Sequence, residues 1–172
     1  MSTIDLDIWV NEEGPIHRLW GMVLLLAIKD QATSVTLDPG RGEFALTYVI
    51  DGQEFGLVPP PECITAALES LMRDTLRSYY DRFLDSLPFR ASRVTGAFVA
   101  KVCSTKVKVE GWTDRSKNIV SLHLTRHPEA VADAERLLHA NIRFPDFPDY
   151  TKGEKYVAEY WTRWVARHGL RL

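Results

Sequence analysis

Five histidines, two cysteines and a row of helix carboxylates are the residues of this 172-residue chain that could do chemistry. His123 and His127 stand four apart, a spacing that brings two imidazoles to one metal only on a helix. The residues before them alternate as a strand, Pro128 follows, and no His-Glu-x-x-His or cysteine cluster accompanies them. No metal site is expected. Cys63 falls in the first turn of an expected helix, where a thiol pKa can be lowered. Cys103 is expected within a strand. Neither has a defined histidine partner, so both read as reduced structural thiols, with a disulfide between them left open. No Gly-x-Ser-x-Gly elbow is present. The Gly-rich segment Asp38 to Gly42 joins two strands, whereas a phosphate cradle opens a helix. Glu62, Glu69, Asp74, Asp81 and Asp85 share the polar side of one helix, which reads as a solvated face. The expectation is a protein with no catalytic constellation and no cofactor.

Two features point to binding instead. Lys101, Lys106, Lys108, Arg115 and Lys117, with Trp112 among them, make one strand region locally basic. Such a face suits an acidic partner, or simply protects a sheet edge. The formal net charge of −2 gives no overall pull toward nucleic acid. The second feature is the crowd of aromatics at the end of the chain, Tyr156, Tyr160, Trp161 and Trp164 among them, on a last helix with Val157, Tyr160, Trp161, Trp164 and Val165 on one face. That face either folds back on the domain or meets a protein partner.

The elements that position these residues follow from periodicity. Ile4, Leu6, Ile8 and Val10 alternate, as an edge strand or ordered arm would. Asn11 can cap a helix that runs through Pro15 to Ile28 and is apolar nearly all round, hence buried on several sides. Ser34–Leu37 reads as a short strand. A longer strand is expected with Phe44, Leu46, Tyr48 and Ile50 alternating, turned at Asp51-Gly52 into a returning strand with Phe55 and Leu57. Pro59-Pro60-Pro61 stops the sheet. A helix is expected from Glu62, carrying Leu68, Met72 and Leu76 and continuing through Tyr79, Tyr80 and Phe83. Residues Val94 to Leu124 read as an antiparallel meander. A helix after His127-Pro128-Glu129, a Pro-rich aromatic linker at Phe144–Tyr150 and the last helix complete the chain. The apolar run Leu19–Ile28 is too short to span a bilayer, and the acidic residues before it do not suit a signal peptide. A cytoplasmic protein with no membrane span is expected. The class is α+β, an antiparallel sheet with helices packed on it.

The stretch Pro15–Pro61 resembles the N-terminal domain that precedes the motor core in the ATPases of type II secretion and type IV pilus assembly. The resemblance rests on Pro15-Ile16, Arg18-Leu19 and Ala27-Ile28 in the helix, Ala32 to Pro39 in the strand, Tyr48-Val49-Ile50-Asp51-Gly52 in the hairpin and Pro59-Pro60-Pro61 at the helix start. Gly96-Ala97-Phe98 and Asn118 to Leu122 are similar to its later strands. The resemblance implies a PAS-like sheet flanked by helices over residues 1–126, and residues 127–172 read as an aromatic-rich helical extension of it. The motor's P-loop is absent. Thr47 and Val49 stand where the family carries nucleotide-facing arginines. The resemblance therefore implies a stand-alone interaction module, an adaptor or regulator of a secretion, pilus or motility apparatus. The alternative is a PAS-like sensor of a small ligand.

Overall fold

A computed structural model describes residues 1–11, 14–57, 59–77 and 92–141, and residues 155, 156, 159, 160, 162 and 163 of the tail. The chain begins with strand β1 (Ser2–Asp5) and helix α1 (Leu6–Asn11), then helix α2 (Pro15–Lys29) and strand β2 (Ser34–Leu37). A 3-10 helix over Pro39–Phe44 leads to β3 (Leu46–Ile50) and β4 (Gln53–Leu57). Helix α3 (Glu62–Leu76), strands β5 (Arg93–Val102), β6 (Thr105–Asp114) and β7 (Ile119–Leu124), a 3-10 turn at Pro128–Ala130 and helix α4 (Val131–Asn141) follow. The strands form one sheet in the order β1-β5-β6-β7-β2-β3-β4. Every neighbour pair is antiparallel except β1 with β5, which is parallel. The expected α+β class is observed, with that one parallel exception.

Alternation decides which side of the sheet is buried. Phe98, Ala100, Val102, Val107, Val109, Val120, Leu122, Val35, Leu37 and Leu46 point to the helices and are buried. Lys106, Lys108, Glu110 and His123 point the other way and are exposed. Helix α2 fills the centre of the helical layer, against α1, α3 and α4. Its residues Trp20, Met22, Val23, Leu24, Leu25 and Ala27 are all buried, as an all-round apolar helix requires. The indole of Trp20 donates to the carbonyl of Leu68 at 2.9 Å and ties α2 to α3. Ala134, Leu137 and Leu138 of α4 join the same core.

Helix α3 lies across β5, β6 and β7. Its last turn sits on Gly96, opposite Gly111 in the β5–β6 register. A Cβ on Gly96 would stand 1.9 Å from the carbonyl oxygen of Leu76. The glycine is therefore required by the closeness of helix to strand.

Several local expectations are corrected. The N-terminal alternation is a strand only to Asp5. Leu6, Trp9 and Val10 are buried as a helical i, i+3, i+4 set while Ile8 is 42% exposed. The four-residue gap from Leu6 to Val10 fits either period. Helix α2 begins at Pro15 after Gly14, and Asn11 instead ends α1, its amide donating to Asp7. The segment after Leu37 is a 3-10 helix, capped by Asp38 through the Gly40 N–H, so β3 begins at Leu46 rather than Phe44. Helix α3 stops at Arg77, whose φ/ψ of −66° and 136° is extended. Tyr79, Tyr80, Phe83, Asp81, Asp85 and the linker Phe144–Tyr150 lie outside the described residues. Cys103 is not in a strand. It occupies the two-residue β5–β6 turn at φ 54°. Both cysteines are free thiols.

Candidate interaction surface

The face of the sheet opposite the helices carries the basic residues singled out in the sequence. In the β5–β6 register Lys101 lies directly across from Lys106, and Lys108 lies one diagonal step away on the same face. Lys101 reaches Asp5 of β1 at 3.9 Å, and Lys108 reaches Glu110 at 2.8 Å. Lys108 holds the Glu110 carboxyl below its ordinary pKa, chiefly by that hydrogen bond. Glu110 in turn lies across from His123.

Further along β6, Trp112 stands across from Thr95 and Ser121. The guanidinium of Arg93 lies 4.0 Å above its ring centroid, a cation–π stack worth about 0.5–1 kcal/mol at an exposed site. From Trp112 a row of hydroxyl residues, Ser121, Thr36 and Thr47, crosses the sheet to Gly56. The ring of Phe44 lies over Gly56, within 3.6 Å of where a Cβ would be. An aromatic ring thus stands at each end of this row, in which Ser121 and Thr47 are themselves buried. Asp114, paired in register with Arg93, is held below its ordinary pKa by the Ser116 hydroxyl.

The basic set read from the sequence is therefore split. Lys101, Lys106 and Lys108 meet on the open face. Arg115 lies in the β6–β7 turn, and its charge favours the ionised form of buried Glu69. Arg93 was missed, because its role depends on the β5–β6 register. Phe44 was read as a strand residue but is half exposed at the end of the 3-10 helix.

Glu69 corrects the solvated reading of the α3 carboxylates. It is 1% exposed, bonded to Arg73 at 2.8 Å and turned toward Thr113 of β6. Burial raises its pKa above the ordinary glutamate value, and Arg73 opposes that rise most strongly. Asp74, by contrast, is exposed and 3.7 Å from Arg77. The Glu69–Arg73 pair lies within α3, and the turn of Glu69 toward Thr113 is what ties this helix to the sheet, a structural task for a buried carboxyl. No group of three or more His, Cys, Asp or Glu side chains among the described residues is placed to hold a metal. His123 is on the open face, while His127 contacts Thr125 and Glu129.

Of the tail aromatics, Tyr156 and Tyr160 are in helical residues and half-buried. Tyr160 packs against the core. Trp161 and Trp164 lie outside the described residues. A void of about 10 Å³ lies between α2, α3 and the β2–β3 pair, walled by Leu19, Trp20, Val23, Leu37, Leu46, Pro60 and Leu68. No helix among the described residues is long and apolar enough to cross a membrane. Scans against protein-family models and curated proteins return no match.

Proposed function

We propose that this chain is a non-enzymatic protein-interaction module whose open sheet face docks an acidic protein surface. One observation carries the reading. Lys101 and Lys106 are opposed across β5 and β6 with Lys108 on their diagonal. Directly opposed like charges weaken a sheet, so folding alone gains nothing from the arrangement. Asp5 and Glu110 offset part of the repulsion through Lys101 and Lys108, and an acidic partner offsets the rest. The interspersed carboxylates Asp5, Glu110 and Asp114 fit a protein surface of mixed charge better than a phosphate backbone, which all three would repel. The Arg93–Trp112 stack supplies the Arg and aromatic chemistry that interface centres favour.

The proposed setting comes from the resemblance of Pro15–Pro61 to the N-terminal domain of secretion and pilus ATPases. The chain would act as a cytoplasmic adaptor or regulator of a secretion, pilus or motility apparatus. An antiparallel sheet with helices on one face supports a PAS-like reading of the fold. The sensor alternative gains no support from the void between α2 and α3. That space suits about one water, and its walls are apolar residues. Affinity capture from the native cell tests the proposal, with the natural chain beside the triple variant Lys101→Glu, Lys106→Glu, Lys108→Glu. The expected result is a secretion or pilus component retained by the natural chain and lost by the variant. Equal recovery by both chains would show that the face does not carry binding.

A further inference from the structure

The sheet ends at β4, on an edge separate from the lysine face. Its residues Gln53, Glu54, Phe55 and Gly56 are all exposed, and Phe55 is 41% exposed. The strand has no lysine, no proline and no bulge within its paired length, the usual devices that blunt an edge. The opposite edge, β1, ends in Asp5 and runs straight into α1.

Backbone geometry fixes which groups this edge presents. Asp51 and Gly52 have φ of 51° and 78°, the pattern of a two-residue primed turn, so Ile50 and Gln53 exchange both hydrogen bonds. Pairs then alternate along the hairpin. Tyr48–Phe55 is hydrogen-bonded, while Val49–Glu54 and Thr47–Gly56 are not. The N–H of Thr33 donates to the Val49 carbonyl at 2.8 Å, which confirms that Val49 turns away from β4. The N–H and C=O of Glu54 and Gly56 therefore point out from the sheet, with no strand beyond them among the described residues.

We propose that β4 pairs with β4 of a second copy of this chain, antiparallel, about a two-fold axis at Phe55. In that register Glu54 of each copy faces Gly56 of the other, and every outward N–H and C=O of the two residues finds its complement. Phe55 meets its own equivalent in a non-hydrogen-bonded pair, where side chains approach closest, at a Cα separation of about 4.5 Å. The two Phe55 rings extend the existing Tyr48–Phe55 contact, whose centroids are 6.0 Å apart, into an aromatic row across the junction. No like charges are opposed. Glu54 faces a glycine and is already paired with Arg41 at 2.7 Å. A one-residue slip would oppose Phe55 to Glu54 or Gly56 and lose both the ring contact and the bonding pattern. The junction is separate from the lysine face of β5 and β6.

Sedimentation velocity over a concentration series tests it, with three variants. Gly56→Pro removes an outward N–H that the monomer does not use and suits an edge strand. Phe55→Lys places like charges at the axis. Phe55→Cys, in a Cys63→Ser, Cys103→Ser background, should form an intermolecular disulfide under mild oxidation, and Glu54→Cys in the same background should not. The expected result is a reversible dimer in the natural chain, weakened by about tenfold or more in the first two variants, an effect comparable to one lost hydrogen-bonded pair. Circular dichroism confirms that each variant folds. A natural chain that stays monomeric at every concentration overturns the proposal. So does a dimer that persists in both Gly56→Pro and Phe55→Lys, or equal disulfide yield at positions 54 and 55.

Discussion

Substituting Gly96 by alanine should be among the most damaging single-methyl changes this protein can suffer. The new Cβ would stand 1.9 Å from the Leu76 carbonyl oxygen and 2.7 Å from its carbon. Real Cβ atoms almost never approach within 3.0 Å, so the end of α3 must withdraw by more than about 1 Å. The atoms it meets are backbone and cannot rotate aside. Leu76 and Met72, 1% and 0% exposed, ride on that turn, and Glu69–Arg73 lies one turn earlier. Overpacking usually costs about 1–3 kcal/mol. Partial exposure of Leu76, worth about 1.5–3 kcal/mol when fully buried, adds to it. The expected loss is about 3 kcal/mol, or a fall of about 6–12 °C in Tm at this chain length. Urea denaturation measures it, with Gly14→Ala as the control. At Gly14 a Cβ would meet only His17, at 4.0 Å, and the cost should stay under about 1 kcal/mol. A loss below about 1 kcal/mol for Gly96→Ala would show that α3 does not rest on β5 as described.

Three further outcomes follow from the same packing. Trp20→Phe deletes the bond to the Leu68 carbonyl and part of a buried ring, and should cost about 1–3 kcal/mol in urea denaturation. Glu69 has a raised pKa in the folded chain, so the folded state keeps its proton where the unfolded chain has released it. Its contribution to stability therefore declines as pH rises from the ordinary glutamate value through the folded one. Denaturation midpoints of the natural chain should fall relative to Glu69→Gln across that window, and parallel curves would contradict the burial of a carboxyl there. The Tyr48 phenol is pushed up to about 12, first by burial and then by its bond to Asp30 at 2.9 Å. An absorbance titration of the folded protein should show a late phenolate step that Tyr48→Phe removes, and stability tied to this group is lost as pH climbs from about 10 toward that value.

Local signals were legible where one element settled them. Asp51-Gly52 demanded a hairpin, Pro15 and the apolar run demanded a buried helix, and the alternation of Val107 and Val109 with lysines gave β6 its two faces. Register was not legible. The meeting of Lys101 with Lys106 and the stack of Arg93 on Trp112 both depend on how β5 aligns with β6. The parallel pairing of β1 with β5 joins segments nearly a hundred residues apart. Cys103-Ser104 makes a tight turn without the glycine or asparagine that advertises one. Glu69 looked like its exposed neighbours because only the crossing of α3 over Thr113 buries it. The candidate surface was thus half visible, as three lysines and a tryptophan, and its geometry came from the sheet.

The most direct measurement is zero-length coupling of lysine amines to carboxylates in a complex captured from the native cell, read by mass spectrometry. The account predicts that Lys101, Lys106 and Lys108 are joined to aspartate or glutamate residues of one partner protein. Intermolecular links confined to other lysines, such as Lys29 or Lys117, with none on the open face, would contradict it.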